Sequence, residues 1–456
     1  MKIERTYYDL TAAQSIALYQ CKYSLFKRVI NILLSASVEE DIDFELLKKA
    51  FNEVVKRNDC IRDRFTKKGK KVVQYFLNEN EVKFDHIECL KFETKEEQEA
   101  FINKLTKKAV KYMKGEVIIP YFIKTYDNKS MVLLKVCHLI LDMYGICFIL
   151  NDLFDVYYAL KNNTEMPSLP SKYEDLVIKD LERITAEFDY KECKQFFEHY
   201  LSSREEPYYA GISGKDEPNW VKRQKKHKRT IQLFFVKNDT KGYKKEVSKE
   251  LVESLIELSK EKNIPFTSLL FFACSVCCGL LNDNTRYMFP LELLNCRASQ
   301  EERMCGGTKA QSLACYTDID YSKSFMDNLH AFYETQIRLN KRYYFPDTDF
   351  EMLIHKTYGS SFFGMYYSIA FSFIPYVKKH GIEYNIYSNE KCALPCYLIF
   401  LYDIENNEMQ MGYDVQTKIT SEKDVDNYHQ NLLSVLEQIV KNPNIPVEQI
   451  ETKNYR

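Results

Sequence analysis

The chain has 456 residues, of which 45% are hydrophobic and 28% are charged, and its formal net charge is −1. This composition is that of a globular protein of two or three domains, and the near-zero charge excludes a global attraction to nucleic acids or membranes. The 13 glycines never form a Gly-x-Gly pair, and no segment reads G-x-x-x-x-G-K-[ST], so dinucleotide and phosphate-loop folds are excluded as well.

The cysteines and the N-terminus indicate a reducing compartment. The 14 cysteines have no regular spacing, and the N-terminus carries acidic residues where a signal peptide needs an apolar core. The longest apolar run, 269–281, is shorter than the roughly 20 residues of a membrane-spanning helix. We therefore expect a cytoplasmic protein without a membrane span, in which Cys274, Cys277 and Cys278 fill a helix interior rather than bind a metal.

In the first half of the chain, apolar residues at helical or alternating spacing predict helices and strands. The predicted helices cover 43–55, 96–113, 145–160 and 178–201, and the predicted strands cover 72–76, 121–126 and 131–136.

The second half shows the same mixture of patterns. It predicts a strand at 231–236, a helix capped by Ser248, a helix after Pro265 capped by Thr267, strands at 366–374, 397–402 and 409–413, and a last helix at 422–440.

A polar segment divides the two halves. Residues 202–230 contain the only tryptophan and the basic run Lys222–Arg229, and a segment of this composition is typical of a linker. The sequence thus predicts an α/β or α+β protein with an N-terminal lobe at 1–201, a linker at 202–230 and a C-terminal lobe at 231–456.

The segment most suggestive of chemistry is a strand that runs into a histidine. The apolar strand at 131–136 is followed by His138, and Asp142 stands four residues later, before the next helix. A histidine at the end of a strand is held by backbone and suits a general base, and a nearby carboxylate can pin the loop. His-x-x-x-Asp by itself is a weak signal.

Other segments in the chain strengthen the indication given by His138 and Asp142. Those that match a known set of signatures, in order, are Leu10–Gln14, Arg57–Phe65, Cys137–Gly145, Tyr173–Asp175, Asn295–Arg297 with Cys305–Gly307, and Met411–Asp414 with Asn442–Pro443. Together they resemble nonribosomal peptide synthetase condensation domains, members of the chloramphenicol acetyltransferase-like (HxxxD acyltransferase) superfamily.

This resemblance implies an α/β fold of two chloramphenicol acetyltransferase-like lobes that form a V-shaped pseudodimer, with the active histidine in a tunnel between them. It implies an acyltransferase that joins a thioester-bound acyl or aminoacyl donor to an amine. No permanent cofactor is expected, because the substrates arrive on the phosphopantetheine of a carrier protein or on CoA. The chain is expected to act as a free-standing monomer on carrier proteins supplied in trans.

The resemblance also assigns roles to residues. His138 is the catalytic residue, and Asp142 is a structural partner of an arginine, for which Arg297 is the candidate across the lobes. The alternative for Asp142 is that it only caps the helix that starts near Gly145.

Further residues are expected around this pair. Two differ from the family signature, since Cys137 replaces its first histidine and Met143 replaces its glycine; with Asn295 they are expected to support the site. Tyr144, Gly145 and Arg62 are the candidates for contacts with substrate or carrier.

Three functions remain open from the sequence. The preferred one is amide formation in natural-product biosynthesis, and a CoA-dependent N- or O-acyltransferase is the close alternative. The third is a non-catalytic relative that binds carrier proteins, for which Met143 is the evidence. The basic run Lys222–Arg229 is either a docking site for an acidic carrier protein or a solvated loop.

Overall fold

The computed structural model describes residues 4–214, 229–232, 239–361, 364–377, 379–392 and 394–453. Residues 215–228, about half of the predicted linker and including Lys222–Lys228 of the basic run, lie outside these described residues. The α-helices that they form are α1 (Ala12–Tyr23), α2 (Phe44–Arg57), α3 (Lys95–Lys107), α4 (Met143–Asn162), α5 (Tyr173–Thr185), α6 (Glu187–Ser202), α7 (Lys249–Glu261), α8 (Phe266–Leu281), α9 (Gln300–Arg303), α10 (Phe325–Asn340), α11 (Asp347–Tyr358) and α12 (Glu422–Lys441).

The strands alternate with these helices along the chain. Within the described residues they are β1 (Asn31–Val38), β2 (Asp63–Lys68), β3 (Lys71–Phe76), β4 (Glu88–Lys91), β5 (Ile118–Lys124), β6 (Ser130–Cys137), β7 (Ile231–Gln232), β8 (Thr240–Val247), β9 (Tyr287–Asn295), β10 (Ala310–Ala314), β11 (Thr317–Asp318), β12 (Gly364–Met365), β13 (Tyr367–Tyr376), β14 (Glu383–Tyr387), β15 (Cys396–Asp403) and β16 (Glu408–Gln416).

The chain forms two compact units, and neither is continuous in sequence. The first contains Met1–Tyr190, Asn295–Ala310 and Lys378–Lys391, and the second contains Lys191–Leu294, Gln311–Val377 and Cys392–Arg456. This division corrects the predicted boundaries at 201 and 231. The segments 295–310 and 378–391 return to the first unit because one binds its buried charges and the other supplies β14, which pairs with β1.

The first unit is built on a five-stranded sheet in the order β14–β1–β6–β5–β4. Its central pair, β1 and β6, is antiparallel from Asn31 opposite Cys137 to Val38 opposite Ser130. Every residue of β6 is buried, and α2 packs against α4 beside it. The buried strand therefore delivers the chain to His138 at a fixed place, and α4 starts five residues later.

The second unit contains a larger sheet in the order β10–β9–β13–β15–β16–β8. Strand β13 runs parallel to β9 and β15. Helix α8 is buried from Ser268 to Gly279, and burial raises the pKa of the Cys274 and Cys277 thiols well above their ordinary value. The expectation that these cysteines fill the helix interior is confirmed.

One helix boundary differs from the sequence prediction for a tertiary reason. Helix α3 ends at Lys107 rather than at 113, since Nζ of Lys135 donates to the carbonyl of Leu105 at 2.8 Å and to that of Lys108. The amide of Asn31 also donates to Lys108 O at 2.9 Å. These side chains from β1 and β6 satisfy the last carbonyls of the helix and stop it there.

Other differences are local. The predicted helix at 178–201 is two helices, which meet at Ala186 in extended backbone. Ser248 caps α7 as predicted, but Thr267 lies inside α8, whose N-cap is Pro265. Of the predicted strand 231–236, only the first two residues are described. Strand β1 was not predicted, although it is central to its sheet.

Among the described residues, one helix, α4, is long and apolar enough to cross a membrane by length and composition, and the pair α7 and α8 passes the same test but bends by 111°. In α4, 56% of the apolar window is buried inside the fold. The apolar residues of α4 are thus accounted for by packing inside the first unit.

Two glycines allow the segment 295–310 to pack closely onto the first unit. A Cβ on Gly306 would stand 2.6 Å from Sγ of Cys60. Gly307 has φ +82°, and a Cβ there would overlap the ring of Tyr173. The Tyr173 hydroxyl donates to the carbonyl of Thr308 at 3.0 Å. Only glycine fits at 307, both for its backbone conformation and for its contact.

We expect Gly307→Ala to destabilise the protein by about 2–4 kcal/mol, because it adds a steric clash to a left-handed backbone conformation. The control is Gly69→Ala, since Gly69 has φ +61° and no heavy atom would lie within 4 Å of a Cβ placed on it. It isolates the backbone cost of about 1–2 kcal/mol. Urea unfolding measures both, and equal losses would show that the contact with Tyr173 contributes nothing.

Candidate active site

His138 is the first residue after β6, and the backbone fixes it there. Its backbone N–H donates to the carbonyl of Ile30 at 2.8 Å, and Ile30 is the residue that precedes β1. The side chain is half-buried, and its Nδ1 has no hydrogen-bond partner in another residue among those described. Burial lowers the pKa of His138, although the charge of Asp142 acts in the opposite direction. The imidazole is therefore neutral at neutral pH and able to accept a proton.

Asp142 uses its two carboxylate oxygens for different purposes. Oδ1 accepts the N–H of Gly145 at 2.8 Å and so caps α4. Oδ2 accepts from Nη1 of Arg297 at 2.8 Å and from the backbone N–H groups of Lys309 at 2.8 Å and Ala310 at 3.0 Å. Asp142 therefore acts both as the cap of α4 and as the ion-pair partner of Arg297.

The environment of Asp142 keeps it ionised. The residue is 2% exposed, and burial by itself would raise the pKa of its carboxyl group. The charge of Arg297 and the N–H donors outweigh burial, so the pKa lies below its ordinary value. A buried carboxylate that accepts several hydrogen bonds is held in place by the cost of breaking any of them.

Both terminal nitrogens of Arg297 are bound. Nη1 also donates to Oδ1 of Asn295 at 2.7 Å, and Nη2 donates to the carbonyls of Gly306 at 3.2 Å and Gly307 at 2.9 Å. The ring of Tyr144 lies 4.6 Å from Cζ, within range of a cation–π interaction. The predicted pairing of Asp142 with Arg297 is confirmed, but it lies within the first unit rather than across the lobes.

The glycine that this site needs is Gly145, not a glycine at 143. A Cβ on Gly145 would stand 2.5 Å from the carbonyl oxygen of Gly307, which also accepts the N–H of Asp142. Met143 has no positive φ. It is the first residue of α4 and packs against the core of the first unit. Methionine therefore fits at 143 without backbone strain.

Three of the other signature segments hold this turn or the loop that binds it. The side-chain amide of Gln14 donates to the carbonyl of Leu139 at 3.2 Å and pairs with that of Gln74 at 2.7 Å. Asp59 accepts the N–H groups of Tyr173 and Glu174 at 2.8 and 2.9 Å, at the start of α5. Segments that are far apart in sequence thus hold the His138–Asp142 turn or the loop that binds it.

Two further candidate residues, Cys137 and Arg62, are buried. Cys137 is fully buried, and burial raises the pKa of its thiol to about 12, so it is no nucleophile at neutral pH. Arg62 is 8% exposed and donates to the carbonyls of Leu77, Val55 and Lys56. These contacts favour a structural role for Arg62 over the predicted contact with substrate.

Tyr144 is likewise occupied within its own unit. Besides its contact with Arg297, its hydroxyl donates to the carbonyl of Arg303 at 2.8 Å. The catalytic role of His138 and the binding roles of Tyr144 and Gly145 stay predictions.

Sequence reasoning missed a second group of buried charges. Nζ of Lys309 lies 3.0 Å from Asp180 and 2.9 Å from Glu302. Lys309 is 2% exposed. The sequence carries no periodic or spacing signal for this contact, because Asp180 and Lys309 are 129 residues apart. Among the described residues, no cluster of three or more histidine, cysteine or acidic side chains has the arrangement of a metal site.

We expect Arg297→Lys to destabilise the protein by about 1.5–3 kcal/mol, because an ammonium group cannot replace the four hydrogen bonds of the guanidinium. Asp142 stabilises the fold above its unfolded pKa of about 3.9 and loses this effect as the pH falls through its lower folded pKa. Wild type and variant should therefore differ less below about pH 4. Thermal unfolding across pH measures this.

The control is Arg286→Lys, since the pair Arg286–Asp318 is half-exposed and should change stability by less than about 0.5 kcal/mol. An Arg297→Lys variant as stable as wild type at pH 7 would show that the guanidinium geometry is dispensable.

The sequence of the chain is similar to sequences of known proteins. The family model of the condensation domain matches residues 4–455 of the chain. A plipastatin synthase protein of Bacillus subtilis (strain 168) is 19% identical over 466 aligned positions, which cover 98% of this chain and 17% of that protein. Bacitracin synthase 3 of Bacillus licheniformis is 26% identical over 174 residues, 37% of this chain and 3% of that protein. The chain thus spans less than a fifth of either relative.

Solved structures show the same fold. The condensation domain of monacolin K polyketide synthase is similar with a TM-score of 0.79, 12% identity, and coverage of 97% of this chain and 99% of that one. The first condensation domain of the calcium-dependent antibiotic synthetase, in complex with a substrate analogue, gives 0.79 at 11% identity, with 99% and 100% covered. A variant of the starter condensation domain of rhizomide synthetase, in complex with C8-CoA, gives 0.80 at 12% identity, with 98% of each covered.

Because the match of the family model runs through nearly the whole chain and the fold agrees with it, this chain belongs to the condensation-domain family, whose members are acyltransferases that form amide bonds.

Proposed function

We propose that this chain transfers an acyl or aminoacyl group from a thioester to an amine in natural-product biosynthesis, and that His138 is its catalytic residue. The observation that carries the proposal is the neutral, half-buried imidazole of His138 on a backbone fixed by buried hydrogen bonds. A base or a positioning group for the amine needs this combination of a neutral imidazole and a rigid location.

The chemistry asks little of this histidine when the acceptor is an amine. An amine with a pKa near 8 needs only about 1.4 kcal/mol to expose its lone pair at neutral pH, and a thiol with a pKa near 8.5 leaves without much acid assistance. His138 then mainly orients the amine and removes the surplus proton as the C–N bond forms. A hydroxyl acceptor is far less acidic and needs a true base.

The donor and partners form part of the same proposal. The donor is carried on the phosphopantetheine of a carrier protein in trans, and the acceptor is a small amine or amino acid. The chain works in the cytoplasm as a monomer. The large synthetases that contain similar sequences, and the complex of one structural relative with C8-CoA, support a thioester donor. Rates measured with the carrier-bound thioester and with the CoA thioester would distinguish this proposal from the alternative, in which CoA is the donor.

Met143 does not favour the non-catalytic alternative. Since this position is the first turn of α4 and needs no left-handed backbone, its methionine leaves the Asp142–Arg297 pair and the cap of α4 intact. The hydrogen bonds that both oxygens of Asp142 accept are all present with methionine at 143.

We expect His138→Ala to lower turnover by roughly 10² to 10⁴ with a hydroxyl acceptor, the usual contribution of a general base, and by less with an amine. The assay incubates an acyl-loaded carrier protein with each acceptor and quantifies product by mass spectrometry. With the hydroxyl acceptor, the wild-type rate should stay constant down to the ordinary histidine pKa of about 6.5 and fall only below it, because burial lowers the pKa of His138 and protonation removes the base.

The control is His86→Ala, an exposed histidine in the same unit, which should leave the rate unchanged. Equal rates of wild type and His138→Ala with both kinds of acceptor would remove His138 from the mechanism.

A pair of substitutions at 143 tests the meaning of its methionine. Met143→Ala and Met143→Gly should both lower stability by removing a packed side chain, and the glycine variant should lose about 1 kcal/mol more because it weakens the helix. Turnover of the two should be similar. A gain in rate or in acceptor size with glycine alone would mean that backbone freedom at this position matters after all.

A further inference from the structure

The side chain of Lys309 is buried between two carboxylates of the first unit. Its Nζ lies 3.0 Å from Oδ2 of Asp180, on α5, and 2.9 Å from Oε1 of Glu302, at α9. The side chains are 2%, 15% and 9% exposed, respectively. The carboxylates outweigh burial and raise the pKa of Lys309, so the ammonium is charged. Because these three groups are shielded from water, their interaction is screened far less than that of a surface pair.

Glu302 connects this ammonium to the beginning of the same loop. Its Oε2 accepts the N–H groups of Ala298 and Ser299, each at 2.9 Å. Burial alone would raise its pKa, but these donors and Lys309 lower the pKa of Glu302 to about 2. The side chain is therefore ionised and ties residues 298–299 to residue 309. The loop 299–309 is closed at its two ends by one carboxylate.

The groups that bind the Asp142–Arg297 pair lie at the C-terminal end of this closed loop. The carbonyls of Gly306 and Gly307 accept from Arg297, and the backbone N–H of Lys309 donates to Oδ2 of Asp142 at 2.8 Å. The N–H of the next residue, Ala310, donates to the same oxygen. The side chain of Lys309 thus fixes the peptide group that Asp142 depends on.

We propose that Lys309 is a positioning residue of the condensation site, which acts through its own backbone N–H on Asp142 and thereby on the turn that carries His138. The inference deepens the proposed function and rests on it for its effect on turnover. Lys309 touches neither substrate nor His138 in this role. Its side chain, bound to Asp180 and Glu302, clamps the loop to α5. Its peptide N–H, held in place by this clamp, in turn fixes the carboxylate of Asp142.

The chain offers a matched control. Lys179, the residue before Asp180, pairs with Glu301, the residue before Glu302, at 2.7 Å, but both side chains are about half-exposed. An exposed pair of this kind contributes little to stability. Lys179→Met therefore removes an ion pair between the same two helices, α5 and α9, without touching the buried clamp.

The test combines hydrogen exchange with kinetics on the full chain. Lys309→Met should speed exchange at residues 305–310 at least tenfold, after correction for intrinsic rates, while exchange in the rest of the first unit changes less than twofold. Turnover should fall at least tenfold, with KM changed less than threefold. Lys179→Met should match wild type in all three measurements.

A second variant covers a failure to fold. Lys309→Met with Asp180→Asn and Glu302→Gln leaves no unpaired buried charge, yet it still lacks the clamp, so the same exchange result is expected. Wild-type protection at 305–310 in a folded variant, or equal loss throughout the unit, would overturn the proposal. Exchange needs no substrate, so an inactive wild type would refute the proposed function and leave the exchange test of Lys309 standing.

Discussion

A buried ion pair between Asp142 and Arg297 determines how the turn from His138 to Asp142 is held. Removing one partner of such a pair leaves an uncompensated buried charge and costs about 3–5 kcal/mol, so the surrounding backbone is constrained to satisfy both groups. In this protein both oxygens of the Asp142 carboxylate accept hydrogen bonds. One accepts the N–H at the start of α4, and the other accepts from Arg297 and from two peptide N–H groups. The turn from His138 to Asp142 cannot shift without breaking several of these contacts.

The remaining features of the site follow from this constraint. A loop that brings carbonyls and N–H groups to a buried pair must approach α4 and α5 closely, and this explains the glycines at 145, 306 and 307. It also explains the second set of buried charges, since a loop that carries no regular secondary structure around Gly307 needs an anchor of its own. Lys309 supplies that anchor between two carboxylates. Rigidity at the loop is what lets a neutral histidine keep one location.

Much of the site was predictable where neighbouring residues decide the structure. The order of buried strand, histidine, turn, aspartate and helix was predicted correctly from the chain, as was the pairing with Arg297, which came from family resemblance. The predictions that were wrong depend on distant residues. Helix α3 stops early because side chains from β1 and β6 take its last carbonyls, and the segment 295–310 joins the first unit because its charges are neutralised there.

The sequence by itself determined the mixture of helices and strands and the position of His138 at the end of a strand, because each depends on residues within one or two turns of chain. Tertiary structure alone decided that Asp142 serves as cap and ion-pair partner at once, that glycine is needed at 145 and not at 143, and that Lys309 clamps the loop. These outcomes depend on contacts between residues far apart in the chain, such as the 155 positions between Asp142 and Arg297, and no local pattern encodes which buried charge will meet which.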